Sequence, residues 1–171
     1  GIHYPIVSFF CYNQPMKRIW TPWRMKFISS TKPSACVFCD IHAGSDDVSN
    51  LIVHRGTDAF VLMNRFPYTS GHLLVVANSH CSSIEELAPG ARAEMMELTI
   101  RSIAVLRKVY SPDGFNFGAN IGSAAGAGIP DHAHLHVVPR WTGDASFMSI
   151  LGETRLLPEE LQVVLNQGLG F

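Results

Sequence analysis

The chain has 171 residues, of which 47% are hydrophobic and 16% are charged, and its formal net charge is −1. This composition is typical of one folded globular domain and excludes an intrinsically disordered chain. A net charge so close to zero argues against a broad surface for DNA or RNA, so we expect no nucleic-acid partner. No apolar run approaches the ~20 residues that span a bilayer, so we also expect no membrane partner.

The N-terminal part of the chain is predicted to be an extension followed by an arm. Residues 1–15 are interpreted as an N-terminal extension, with Met16 as a candidate start, and residues 16–171 as a single domain. The apolar opening lacks the basic segment of a secretory signal, and four unevenly spaced cysteines make no disulfide scaffold, so we expect a cytoplasmic protein. Pro15–Phe27, rich in Trp, Met and Arg, is predicted to pack as an arm onto the domain, and Ser29–Ser49 to form a loop.

Three strands are predicted next. Leu51–His54 and Ala59–Met63 are apolar runs separated by a turn at Arg55–Asp58, which indicates a hairpin. Leu73–Ala77 is predicted to be a buried strand.

A long helix and two more strands complete the core of the domain. The helix is predicted to begin near Pro89, a residue favoured at the first helical position, and to end near Tyr110 before Ser-Pro-Asp-Gly. Phe115–Asn120 and His132–Arg140 are the last predicted strands, and Pro158–Asn166 is a predicted C-terminal helix. Strands, then a long helix, then strands with short connections indicate the α+β class with a mainly antiparallel sheet.

Three histidines alternate along the last predicted strand. Side chains of a β-strand point to opposite faces in turn, so His132, His134 and His136 lie on one face, while the apolar residues between them face the core. Imidazoles near neutral pH can supply a nucleophile, a group that orients it and a proton carrier. The small-residue loop Gly122–Gly128, just upstream, could cradle phosphate oxygens with its backbone N–H groups.

With this signature the chain resembles the histidine triad superfamily, from about Trp20 to about Leu157. Within it, several stretches are similar to the bacterial diadenosine tetraphosphate phosphorylase branch, namely Trp20–Met25, Asn64–Tyr68, Ser70–Leu74, Gly114–Asn116 and Val138–Trp141. The resemblance implies a five-stranded, mainly antiparallel sheet with helices packed on one side, paired into a homodimer. It also implies a nucleotide substrate, an adenine dinucleoside polyphosphate or its mononucleotide products.

The resemblance assigns roles to the histidines. His134 would attack the α-phosphorus and form a nucleotidyl-histidine intermediate, which divides one difficult displacement into two easier ones. His136 would form a hydrogen bond in the phosphate site, and the backbone near His132 would fix the tautomer of His134. His72 would support the triad from the neighbouring strand, although a lone histidine there is also compatible with a purely structural role.

The resemblance also implies a substrate pocket. Asn64 would bind the ribose hydroxyls and Asn120 the phosphates, although asparagine after a strand is often only a turn residue. Leu62 and Leu74 are candidate walls of a base slot, and core packing would explain them equally well. Ser123, Gly126 and Gly128 belong to the phosphate-cradling loop.

A second group of residues has the chemistry of a metal site. Cys36 and Cys39 form a Cys-x-x-Cys pair, which by itself fits zinc, redox chemistry or coincidence. The set Cys36, Cys39, His80 and His132 matches the ligands of the related galactose-1-phosphate uridylyltransferases and of zinc-carrying triad proteins. We therefore expect a structural zinc site and no organic cofactor. The alternative is a pair of buried thiols beside an exposed His80.

One position departs from the family pattern. Many triad proteins carry Ser or Thr three residues before the first histidine, where it assists the leaving group, and this chain carries Ile129 there. An amine leaving group needs a proton, whereas a nucleoside polyphosphate needs less help. The sequence therefore favours a nucleotidyltransferase that converts diadenosine tetraphosphate and phosphate to ADP and ATP. Alternatives are a hydrolase that releases AMP, a non-catalytic nucleotide-binding protein clamped by zinc and, least favoured, a catalytic zinc site built from the triad itself.

Overall fold

The computed structural model describes residues 36–144. Their elements are α1 (Val37–Ala43), β1 (Ile52–Arg55), β2 (Ala59–Met63), β3 (Leu73–Ala77), α2 (Pro89–Tyr110), β4 (Gly114–Gly118) and β5 (His134–Arg140). Two short 3-10 turns, at Ile84–Glu86 and Ser123–Ala125, lie between them. The predicted extension, N-terminal arm and C-terminal helix lie outside the described residues.

The five strands form one antiparallel sheet in the order β1-β2-β3-β5-β4. The predicted hairpin is confirmed, since β1 and β2 pair across the turn that follows Arg55. β5 lies between β3 and β4, and its register places His134 beside Val76 and His136 beside Leu74. The α+β class with a five-stranded antiparallel sheet is thus confirmed.

The long helix covers one face of the sheet. Alternate side chains of the three central strands pack there against Met95, Leu98 and Leu106 of α2, and the cluster includes Ala133, Leu135 and Val137. The predicted bounds of α2 are confirmed, with Pro89 in its first turn. Ser111 caps its C-terminal end, and its φ of 46° is the left-handed conformation that commonly closes a helix.

The short helix α1 covers the opposite face, which corrects two expectations. Ser29–Ser49 was predicted to be a loop, but Val37–Ala43 within it is helical. The helices were expected on one side of the sheet, but Phe38 of α1 packs against Phe60, Leu62, Leu74 and Val76, whose side chains point away from α2. The physical reason is the strand alternation itself, because β2 and β3 are apolar on both faces and each face needs a cover.

Three strands have bounds that differ from the prediction by one or two residues, and the first is β1, which covers Ile52–Arg55 rather than Leu51–His54. β4 begins at Gly114 and ends at Gly118, and β5 begins at His134 rather than His132. His132 still points to the same face as His134, because both rings contact Phe38 while Ala133 joins the α2 side. Neither helix of the described part of the chain has the length and apolar character of a membrane span.

Candidate active site and zinc centre

A pocket lies on the α1 face of the sheet and ends at the triad. Its walls include seven of the residues that the sequence assigned to catalysis or substrate: Leu62, Asn64, Leu74, Asn120, Gly128, His134 and His136. Ile129 also lines it. Ser123 and Gly126 are exposed and are not among the described residues that line this pocket.

The tautomer of His134 is determined by the backbone. Its Nδ1 lies 2.7 Å from the carbonyl oxygen of His132, and a carbonyl can only accept, so Nδ1 carries the hydrogen and donates it. The neutral ring therefore has its lone pair on Nε2. The side chain is 7% exposed and packs against Phe38. Burial lowers the pKa of His134, which favours the neutral, nucleophilic form.

His136, which lines the pocket, and His72, which is buried behind it, form a second unit. The Nε2 of His72 lies 3.0 Å from the Nδ1 of His136, and the two ring centroids are 5.2 Å apart. His72 is fully buried, just before β3. Tyr68, which also lines the pocket, packs its ring on both histidines. The structure thus brings His72 to the triad, as the sequence predicted, although it contacts His136 rather than His134.

His132 differs from its two neighbours because its ring points towards the cysteines. Its Nε2 donates to the carbonyl oxygen of Ala77 at 2.8 Å, so its lone pair is on Nδ1. That nitrogen lies 3.2 Å from the Sγ of Cys36 and 3.7 Å from the Sγ of Cys39. Burial is the main cause of a lowered pKa at His132, which keeps the ring neutral as a metal ligand must be.

The four predicted metal ligands lie together, with their ligand atoms all within 4.8 Å of one another. The Sγ of Cys39 is 3.4 Å from the Nδ1 of His80. With Zn–S of ~2.3 Å and Zn–N of ~2.0–2.1 Å, a tetrahedral site has S···N edges of about 3.6 Å. The three S···N distances scatter about that value. The hydrogen bond from His132 to a backbone carbonyl is also typical of a zinc-ligating histidine. The residues therefore fit zinc.

Helix α1 and Tyr68 are parts of the site that the sequence did not predict. Val37, Phe38 and Ile41 line the pocket opposite the sheet, so the segment between and after the two cysteines forms a wall of the site. Its apolar residues at i, i+1 and i+4 were a weak signal for an amphipathic turn. At its C-terminal end, the Arg55 guanidinium donates to the carbonyl oxygens of His42 and Gly44 at 2.8 and 2.7 Å.

The family model described as the HIT domain matches residues 46–143 of the chain. The chain belongs to the histidine triad family. Two proteins of Mycobacterium tuberculosis (strains CDC 1551 and H37Rv), each named AP-4-A phosphorylase, are 38% identical over 156 residues, which cover 86% of this chain and 80% of theirs.

Solved structures of this histidine triad family are similar in fold. A zinc-bound member from Mycobacterium smegmatis has a TM-score of 0.62 and 29% identity, covering 79% of this chain and 93% of its own. A member from Bacillus subtilis has a TM-score of 0.58 and 25% identity, covering 78% of this chain and 94% of its own. That a member of the family binds zinc is consistent with the near-tetrahedral spacing of Cys36, Cys39, His80 and His132 in this chain.

Proposed function

We propose that this histidine triad protein is a nucleotidyltransferase that converts diadenosine tetraphosphate and inorganic phosphate to ATP and ADP. The observation that carries the proposal is the geometry of His134, a buried imidazole in the pocket wall whose Nδ1 hydrogen is held by the carbonyl oxygen of His132, which leaves Nε2 for the substrate. The likeness to proteins named AP-4-A phosphorylase supports the choice of substrate and acceptor.

In the first step, the Nε2 of His134 attacks the α-phosphorus. A P–N bond forms, the P–O bond to the departing group breaks, and its electron pair leaves on the oxygen of ATP. The imidazole becomes positively charged, and the carbonyl oxygen of His132 stabilises that charge through the Nδ1 hydrogen. His136 donates a hydrogen bond to a phosphate oxygen.

In the second step, an oxygen of inorganic phosphate attacks the same phosphorus. A new P–O bond forms, the P–N bond breaks, its electron pair returns to the Nε2 of His134, and ADP leaves. If water took the place of phosphate, the product would be AMP. His134 would be the nucleophile whether phosphate or water is the acceptor. A hydrolase that releases AMP is therefore the second candidate function.

The pocket walls support a placement for the nucleotide. We infer that the base lies between Leu62 and Leu74 on the sheet side and Phe38 of α1 on the other. The α-phosphate then lies near His134, Asn120 and Gly128, with Ser123 and Gly126 reaching the more distal phosphates. Asn64 is close to the ribose end of the same wall.

Zinc would be held by Cys36, Cys39, His80 and His132. When bound, it supplies a structural clamp rather than a Lewis acid for the reaction, because all four positions of its tetrahedron are protein ligands. The clamp joins the start of α1 to the segment that precedes β5.

We also propose a single cytoplasmic domain over residues 16–171 that forms a homodimer. Exposed apolar side chains of α2 and of the edge strand β4 support the dimer, namely Met96, Ile100 and Phe117. Sedimentation equilibrium of the protein and of a Phe117→Lys variant tests it. A monomeric wild-type protein at micromolar concentration would contradict it.

The activity is tested by incubating the protein with diadenosine tetraphosphate, with and without inorganic phosphate, and separating the nucleotides. ATP and ADP that form only with phosphate are the expected result. ATP and AMP that form regardless of phosphate would indicate the hydrolase. Tight binding of AMP without any turnover would indicate the non-catalytic nucleotide-binding protein.

A further inference from the structure

The side chain of Asn64 forms hydrogen bonds with two protein groups at the edge of the pocket. Its Oδ1 accepts the backbone N–H of Phe66 at 2.9 Å, which fixes the orientation of the amide because an N–H can only donate. The Nδ2 then points to the Nδ1 of His72 at 3.3 Å. The backbone N–H of Tyr68 donates to the same ring nitrogen at 3.1 Å.

These two donors determine where the hydrogens lie on His72 and His136. Because the Nδ1 of His72 accepts, the neutral ring carries its hydrogen on Nε2. That hydrogen is donated to the Nδ1 of His136, 3.0 Å away. His136 in turn carries its hydrogen on Nε2. The order of hydrogen bonds therefore runs from Asn64 and Tyr68 through His72 to His136.

The same order of hydrogen bonds opposes a second proton on His136. A second proton on His136 would sit on Nδ1, where it would meet the Nε2 hydrogen of His72. A neutral His72 could lose its Nε2 hydrogen only by carrying one on Nδ1 instead. That hydrogen would face the N–H groups of Tyr68 and Asn64, which are donors themselves. His72 is fully buried, so the cost of unmatched donors would be high.

We propose that Asn64 is a positioning residue for the transfer reaction, and that it acts through His72 to hold His136 as a neutral hydrogen-bond donor. The proposal rests on the proposed function, in which His136 binds a phosphate oxygen. Such a donor strengthens its hydrogen bond as negative charge grows on the oxygen, but it does not give its proton away. The departing group therefore leaves as an anion, as a nucleoside polyphosphate can.

The variant Asn64→Asp tests this with almost no change in shape. A carboxylate accepts where the amide donated, so it draws a hydrogen onto the Nδ1 of His72 and reverses the order of donors. We expect kcat to fall about 100-fold with KM changed less than about threefold, since the loss of one aligned donor costs about 10²–10³ in rate. Asn64→Ala retains the Tyr68 N–H, and we expect a loss of kcat of about tenfold or less.

The tautomers are read directly from the ring ¹⁵N resonances of His72 and His136, without any substrate. We expect both wild-type rings to carry hydrogen on Nε2, and Asn64→Asp to place a hydrogen on the Nδ1 of His72. Tyr68→Phe is the matched control, because it retains the backbone N–H and should leave both tautomers as in the wild type. Well-dispersed amide spectra of each variant show that it is folded.

Three results would overturn the proposal. The first is a wild-type His72 with its hydrogen on Nδ1, and the second is an Asn64→Asp protein with both tautomers unchanged. The third is a rise in KM at constant kcat in Asn64→Asp that removal of the substrate's ribose 2′-hydroxyl reproduces in the wild type, since that is the signature of a ribose contact alone. If the wild type turned over no dinucleotide, the proposed function would fail, and the resonances alone would still decide the role of Asn64.

Discussion

Three identical side chains in the triad have three different tasks because each ring has a different partner. The carbonyl of Ala77 leaves the Nδ1 of His132 for a metal, and the carbonyl of His132 leaves the Nε2 of His134 for the substrate. His72 makes His136 a donor. The alternation of the histidines was predictable from the sequence. The resemblance also implied that the backbone near His132 fixes the tautomer of His134. The tautomers of His132 and His136 were not predictable, because their deciding partners come from segments more than fifty residues away.

Ile129 lines the pocket and packs against the apolar cluster that includes Phe38. Because its side chain is a hydrocarbon, no hydroxyl is available at that position. We predict that Ile129→Ser raises the turnover of an adenosine 5′-phosphoramidate relative to that of diadenosine tetraphosphate by about tenfold or more, because the amine then has a proton source. The ratio of the two kcat/KM values measures this. Ile129→Val is the control, and an equal ratio in both variants would contradict the role of the missing hydroxyl.

At the scale of elements, α1 depends on contacts with distant parts of the chain. The Cys2His2 group lies at its first turn, and Arg55 of β1 binds the carbonyl oxygens at its last. A seven-residue helix is unstable alone, which is why local sequence did not predict it. By contrast, α2 was predictable to its ends, because the signals at Pro89 and Ser111 are local. The strands β2 and β3 were equally predictable from their apolar runs.

Because α1 is a wall of the pocket, zinc removal should act on nucleotide binding as well as on stability. We predict that chelation, or the variant Cys39→Ser, weakens AMP binding by about tenfold or more and lowers the melting temperature. Calorimetric titration and thermal unfolding measure the two effects. The control is Cys81→Ser, a cysteine outside the metal group. Unchanged AMP affinity after verified loss of zinc would contradict the coupling.

The C-terminal end of α1, which Arg55 of β1 binds, can be perturbed without changing a metal ligand. We predict that Arg55→Ala weakens AMP binding while the protein retains its full zinc content, because the carbonyl oxygens of His42 and Gly44 lose their donor. Metal analysis together with the same titration separates the two ends of the helix. Loss of zinc in Arg55→Ala would show that the ends are not independent.

At the scale of the whole molecule, folding stability should depend on His54 of β1. Burial holds the pKa of His54 below its ordinary value, Arg101 lowers it further, and Glu94 opposes both effects. The unfolded chain, with a histidine pKa of about 6.5, therefore binds more protons than the folded one as the pH falls. The stability that His54 contributes is present above about pH 6.5 and is lost as the pH falls through the lower, folded-state pKa.

We predict that His54→Gln flattens this dependence. Urea unfolding between pH 5 and 8 measures the free energy of unfolding of both proteins. The wild type should lose more stability than the variant below about pH 6.5. Parallel curves for the two proteins would show that His54 makes no such contribution.

The whole fold places catalysis and metal on the α1 face and gives the α2 face to the core. Residues predicted for the pocket converge because β2, β3 and β5 are neighbours, so Leu62, Leu74 and His136 share one surface. Sequence alone could predict the strands, and the resemblance implied only that the strand after His72 lies next to the triad strand. Neither the sequence nor the resemblance predicted that α1 forms the pocket wall opposite the sheet.

We expect His134 to carry the nucleotide during turnover. The most direct measurement mixes excess protein with diadenosine tetraphosphate without phosphate, stops the reaction in alkaline denaturant, and determines the protein mass and the modified peptide. We expect one adenylyl group on His134, none on His134→Ala, and its conversion to ADP when phosphate is added before the denaturant. Full consumption of the substrate with His134 unmodified at every time, or full activity in His134→Ala, would contradict the account.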